Sequence, residues 1–149
     1  MLNNPKHIIT PLAHYLYKTE PERLNESMTD TTNFALSMLK TLDGNSIWQT
    51  PEYDVALYFY NSWPAIDVAK TPLFKLEFAK CGCEVEAVSK VDEFLQLFEY
   101  IIYHHIAHGD KMDPIVVDKH HRILDGVKRC AIYAVCGQKQ IEGRYNIGG

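Results

Sequence analysis

Apolar positions recur along this chain first with a helical period, then in alternation, then helically again, and these changes mark out its elements. In residues 1–28 the main apolar stretch is Leu12–Tyr17, interrupted by polar and proline residues, which allows one short helix at most. From Thr29 to Leu42, Phe34, Met38, Leu39 and Leu42 repeat at helical spacing. Thr29 or Asp30 can cap and Gly44 terminates, so an amphipathic helix is expected there. Thr50-Pro51-Glu52 joins a capping hydroxyl, a proline suited to the first helical position and an early acid. The helix it opens runs through Tyr53–Ser62 and stops before Pro64. Its aromatic side chains read as core rather than as a base-stacking platform.

Between Thr71 and Ser89 the pattern alternates. Phe74, Leu76 and Phe78 are separated by Lys75 and Glu77, and Cys83, Val85 and Ala87 by Glu84 and Glu86. Two strands joined around Cys81-Gly82-Cys83 are expected. Ser89 with Asp92 then resembles a capping box, and Val91, Phe94, Leu95, Phe98, Ile101, Ile102 and His105 line one face of a long helix ending near Gly109.

Asp113–Ile141 carries most of the candidate chemistry. Pro114 opens the β-branched run Ile115-Val116-Val117, Asp118-Lys119-His120-His121 makes a polar turn, and Arg122–Asp125 returns as a strand. Gly126 lets the backbone bend sharply into a helix over Val127–Cys136, apolar nearly all round and therefore buried, with Gly137 as its cap. Lys139–Ile147 supplies a last edge strand, weakened by Gly143.

Composition adds limits rather than a function. The 149 residues are 46% hydrophobic and 23% charged, with a net charge of −4, which suits one globular domain and gives no overall attraction to nucleic acid or anionic membranes. No window approaches the roughly 18 consecutive apolar residues of a membrane span, and the amino terminus lacks a charged-then-apolar signal pattern. A cytoplasmic location is expected, with Cys81, Cys83, Cys130 and Cys136 as thiols. Without repeats or a clear linker, 1–149 reads as a single domain, a helical part over 1–70 packed on an α/β unit over 71–149.

Lys128 and Arg129 fall in the first turn of the last helix, where the dipole is positive and N–H groups lack partners. Two cations there are mildly unfavourable unless an anion is shared between them. Strand, glycine turn, helix start and cations together point to a phosphate site formed by Gly126, Val127, Lys128 and Arg129, against the plainer alternative of a strand-to-helix turn with exposed cations. The turn Lys119-His120-His121-Arg122 could add donors to a polyphosphate, with His120 as a ligand contact and His121 as general acid or base, or be simply a solvated turn. Of Glu77, Glu84, Glu86, Asp118 and Asp125, Asp125 is best placed beside the loop to hold magnesium or activate a nucleophile. His104 and His108 have zinc-site spacing, but no glutamate lies between them in the HExxH sense and Cys81 and Cys83 lack the spacing of a zinc knuckle. No metal ligand set is assigned.

The same residues carry a family resemblance. Pro114-Ile115-Val116-Val117, then Arg122-Ile123-Leu124-Asp125-Gly126 with Arg129 following, then a small-residue helix closing on Gly137, resembles the ParB/sulfiredoxin superfamily pattern. The resemblance covers about the last third of the chain and extends more loosely back to Leu73. It implies an α+β fold with a small mixed sheet, and a loop at Gly126 to Arg129 that binds a nucleotide of the ATP or CTP type, with Mg2+. Members include CTP-binding partition proteins, ATP-using sulfiredoxin, a free-serine kinase and ParB-like nucleases. Val127 stands where sulfiredoxin-like members place a nucleophilic cysteine, which removes a sulfinic-acid reductase reading. Gly126-Val127-Lys128-Arg129 also lacks the acidic residue of the partition-protein box.

Three functions are compatible with this pattern. The first is binding of a nucleotide or another phosphorylated small molecule, extended in an enzyme to metal-dependent phosphoryl transfer or hydrolysis using Asp125 and His121. The second is a non-catalytic regulatory or interaction protein, of the phage-encoded kind, on the same scaffold. The third is a ParB-like nuclease or DNA-binding module, against which the net charge counts.

Overall fold

The computed structural model describes residues 30–146, and the expected short helix at Leu12–Tyr17 lies outside them. Four strands form one sheet: β1 (Thr32–Ala35), β2 (Ile115–Val117), β3 (Ile123–Asp125) and β4 (Gln140–Tyr145), in the order β1-β4-β2-β3. β4 runs antiparallel to β1 and parallel to β2, while β2 and β3 make an antiparallel hairpin. The longer helices are α1 (Pro51–Ser62), α2 (Pro72–Cys81), α3 (Glu84–Tyr100), which continues as a π-helix over Ile101–Ala107, and α4 (Val127–Val135). The class is mixed α+β.

The helix expected over Thr29–Leu42 is instead β1 followed by a 3-10 turn at Leu36–Met38. The buried residues are Phe34, Leu36 and Leu39, whereas Met38 and Leu42 are exposed, so the apparent helical stripe was not the inward-facing set. What decides the conformation is pairing with β4, a long-range partner absent from the local pattern. The amino-terminal part therefore contributes a strand to the sheet. Beyond β1, Lys40 N–H donates to His121 O at 3.1 Å and Lys40 O accepts from Ile123 N–H at 2.8 Å, so the chain crosses from the β1 edge to the outer side of β3.

The two strands expected over Thr71–Ser89 are likewise replaced, by α2 and the start of α3. Thr71 Oγ1 accepts from Phe74 N–H at 3.1 Å and donates to Val68 O at 2.8 Å, and Pro72 occupies the first turn. The same Thr-Pro device starts α1, where Thr50 Oγ1 accepts from Tyr53 N–H at 3.1 Å. Alternation misled because Leu76, Phe78 and Val85 are exposed in the helices they occupy. α3 begins after Cys83 rather than at Ser89, with Glu84 and Glu86 in its first turn against the positive end of the dipole.

β4 is not an edge strand; it lies between β1 and β2. A Cβ on Gly143 would stand 2.7 Å from Ile115 Cγ1 and 2.9 Å from Phe34 Cδ2. The missing side chain is what lets these two neighbours meet across the strand.

Two apolar clusters share α4 as their common wall. Phe34, Leu36, Leu39, Ile47, Ile115, Val117, Ile123 and Ile141 pack against Cys130 and Ala131 on one side of the helix. Phe59, Phe94, Phe98, Ile101 and their neighbours reach Ile132 on the other. α4 ends as expected at Gly137, whose N–H bonds to Ala134 O while Gln138 N–H bonds to Tyr133 O, the paired closure of a Schellman motif. Among the described residues no helix is long and apolar enough to cross a membrane.

Candidate functional site at the start of helix α4

Gly126 turns the chain from β3 into α4 with φ of 118°, a backbone region that side chains disfavour. Space enforces the same choice, since a Cβ there would lie 2.5 Å from Ile115 Cγ2 and 2.9 Å from Ile115 Cβ. No side chain caps α4, and none of the described residues accepts from the N–H groups of Val127, Lys128 or Arg129. The helix thus presents three amide donors at the positive end of its dipole.

Arg129 is held by its own protein. Its Nη1 donates to Asp113 O at 2.6 Å and to Pro114 O at 3.4 Å, and its Nη2 to Asp125 Oδ2 at 3.1 Å. The Arg129 side chain is 13% exposed and that of Asp125 45%. The guanidinium therefore braces the entry to β2 against the start of α4, where the sequence suggested a phosphate fork. Lys128 remains exposed, with Nζ 5.6 Å from the centroid of the Phe94 ring. Val127 packs against the cluster beneath the sheet.

His120 and His121 lie elsewhere. They sit in the β2–β3 turn, whereas Gly126 follows the far end of β3, and the three residues of that strand separate the two sites by about 10 Å. Asp118 organises the turn. Its Oδ1 accepts from His120 N–H at 2.8 Å and Arg122 N–H at 2.9 Å, and its Oδ2 from Arg122 Nε at 2.7 Å. Loss of water contact pushes the Asp118 carboxyl upward, but these donors outweigh it and hold the group below its usual range. His121 adopts φ of 65°, the left-handed position that closes a three-residue hairpin loop, and its Nε2 lies 2.7 Å from Tyr145 Oη. The structure thus gathers Asp125, Gly126, Val127, Lys128 and Arg129 at one place and leaves His120 and His121 at the other end of the hairpin.

The remaining candidates are on helices. Glu77 is on α2 beside Lys80, with Oε2 and Nζ 3.9 Å apart, and Glu84 and Glu86 are in the first turn of α3. The π-helix changes the relation between His104 and His108, because residues five apart become neighbours. His108 Nδ1 accordingly meets Tyr103 O, and His104 Nδ1 lies 3.5 Å from Asp110 Oδ2. Among the described residues no group of three or more His, Cys, Asp or Glu could hold a metal ion.

Sequence reasoning missed Asp113, Pro114 and Phe94 as parts of the α4 entry. Pro114 gave a signal, since it favours extended backbone at Asp113, whose carbonyl accepts from Arg129. Nothing local marks Phe94, which arrives from α3. Glu99 was also missed. It is buried in the helical cluster and accepts from Trp63 Nε1 at 2.6 Å. Burial pushes its carboxyl up to about 7, against the opposing effect of that hydrogen bond.

Comparison with protein-family models, curated proteins and solved structures gives no match for this chain.

Proposed function

We propose that this protein binds a nucleotide or another phosphorylated small molecule at the start of α4. The observation that carries the reading is the uncapped, glycine-entered helix start, where the amides of Val127, Lys128 and Arg129 have no acceptor among the described residues. A phosphate there receives backbone N–H donors and the mobile ammonium of Lys128. Gly126 supplies the close backbone turn and Arg129 keeps it rigid through Asp113 and Asp125. The resemblance of this strand, glycine loop and arginine to the ParB/sulfiredoxin pattern supports an ATP- or CTP-type ligand.

As an enzyme the protein would carry out metal-dependent phosphoryl transfer or hydrolysis. Asp125 is the carboxylate beside the loop, and a single half-exposed carboxylate fits a magnesium ion that arrives on the nucleotide phosphates. Such an ion supplies charge neutralisation of the phosphate. Within the chain, Asp125 is already ion-paired with Arg129 and His121 lies at the far end of the hairpin. That arrangement favours a second reading, a binding protein that acts by interaction without turnover.

A thermal-shift screen with ATP, ADP, CTP, GTP and deoxynucleotides, with and without Mg2+, tests the proposal. At about 100 times its dissociation constant a ligand stabilises by about 2.7 kcal/mol. A rise in melting temperature for one nucleotide, absent in Lys128→Glu, supports the site, and turnover of that nucleotide separates the two readings. No rise with any nucleotide in a folded sample counts against both.

A further inference from the structure

Two of the four cysteines lie together at the surface, outside the α4 site. Cys81 is the last residue of α2, Gly82 follows with φ of 62° and ψ of 18°, and Cys83 stands immediately before α3. The left-handed glycine turns the chain sharply between the two cysteines, and residues that close in sequence across such a turn fall within the roughly 4.4–6.8 Å Cα separation that a disulfide spans. The Cys81 thiol already rests on residue 83, with Sγ 3.4 Å from Cys83 N and 3.3 Å from Cys83 O. Cys81 is exposed and Cys83 half-buried.

The other two cysteines are chemically quiet. Burial pushes the Cys130 thiol up to about 12 and the Cys136 thiol up to about 11, and Cys130 is fully enclosed beneath the sheet. Thiol chemistry is therefore concentrated in the α2–α3 turn.

We propose that Cys81 and Cys83 form a redox-active dithiol that closes to an intramolecular disulfide by exchange with a low-molecular-weight disulfide of the glutathione type. The more exposed Cys81, as thiolate, attacks one sulfur of glutathione disulfide. The sulfur–sulfur bond breaks, one glutathione leaves and a mixed disulfide forms on Cys81. Cys83, as thiolate, then attacks the Cys81 sulfur and releases the second glutathione. The two protein thiols are oxidised by two electrons, the glutathione disulfide is reduced to two thiols, and the two protons pass from cysteine to glutathione. Closure ties the end of α2 to the start of α3.

The test is intact-mass analysis after equilibration of the full chain with glutathione disulfide, on wild type, Cys81→Ser and Cys83→Ser, followed by peptide mapping. Wild type should lose the mass of two hydrogens and carry no glutathione, the bond should map to Cys81–Cys83, and a dithiol reductant should restore the starting mass. Cys83→Ser should stop at one bound glutathione, because the resolving thiol is gone. Both substitutions are at the surface turn; Cys83→Ser leaves the backbone contacts of residue 83 in place, Cys81→Ser exchanges the sulfur that meets them for a hydroxyl, and folding of each is checked by an unchanged melting temperature. Wild type that retains glutathione, links two chains, pairs other cysteines or fails to react overturns the proposal.

Discussion

Replacing Arg129 with alanine should destabilise the fold measurably even with no ligand present. The guanidinium donates to Asp113 O at 2.6 Å and to Asp125 Oδ2 at 3.1 Å from a side chain only 13% exposed. A hydrogen bond from a charged donor contributes about 1.5–3 kcal/mol. The pair with Asp125 is screened by water and adds at most about 1 kcal/mol. A loss of about 1.5–4 kcal/mol follows, which is a large share of the stability of an ordinary domain. In urea, followed by tryptophan fluorescence, the midpoint should fall while the denaturant slope stays constant. Arg129→Lys should recover less than half of the loss, because one ammonium cannot span both partners. Asp125→Asn should cost no more than about 1 kcal/mol. A shift under about 0.5 kcal/mol for Arg129→Ala would mean that the guanidinium is not bracing β2 against α4.

Lys128→Glu should leave stability within about 0.5 kcal/mol of wild type, because losing the contact with Phe94 is offset by a favourable acid at the helix start. Its nucleotide-induced thermal shift should vanish. Gly143→Ala should cost about 1–3 kcal/mol by overpacking against Ile115 and Phe34, read as a lowered urea midpoint. Glu99 should make stability fall as pH rises. Its folded-state carboxyl is raised from 4.5 to about 7, so the folded protein binds the proton more tightly and the benefit, complete below 4.5, is lost by about pH 7. The upper bound is about 3 kcal/mol. Urea midpoints across that range should decline for wild type and flatten for Glu99→Gln.

The sequence carried the elements whose signals are local. Thr50-Pro51, the Val91 to Ile101 stripe, the β-branched run at Ile115 and the Gly126 and Gly137 boundaries all correspond to what the chain does there. Thr71-Pro72 was as readable as Thr50-Pro51, and alternation among Phe74, Leu76 and Phe78 concealed it. β1 was harder to see, because four residues become a strand only when β4 is beside them. The central place of β4 was hidden for a related reason, since Gly143 looks like a weakness until Phe34 and Ile115 are brought together over it. At the candidate site, residues contiguous in the chain were legible and their partners were not. Asp125 to Arg129 stand together, but the guanidinium's engagement with Asp113 depends on how β2 enters the sheet, and the direction of the hairpin removes His120 and His121 from the loop.

The most direct measurement of ligand binding at α4 is a nuclear magnetic resonance titration of amide-labelled protein with ATP and CTP in the presence of Mg2+. The account predicts that the amide signals of Val127, Lys128 and Arg129 move together, saturate with one dissociation constant, and stay fixed in Lys128→Glu. Saturating nucleotide that leaves these three signals unmoved, or that moves the Asp118 to Arg122 turn in their place, would contradict it.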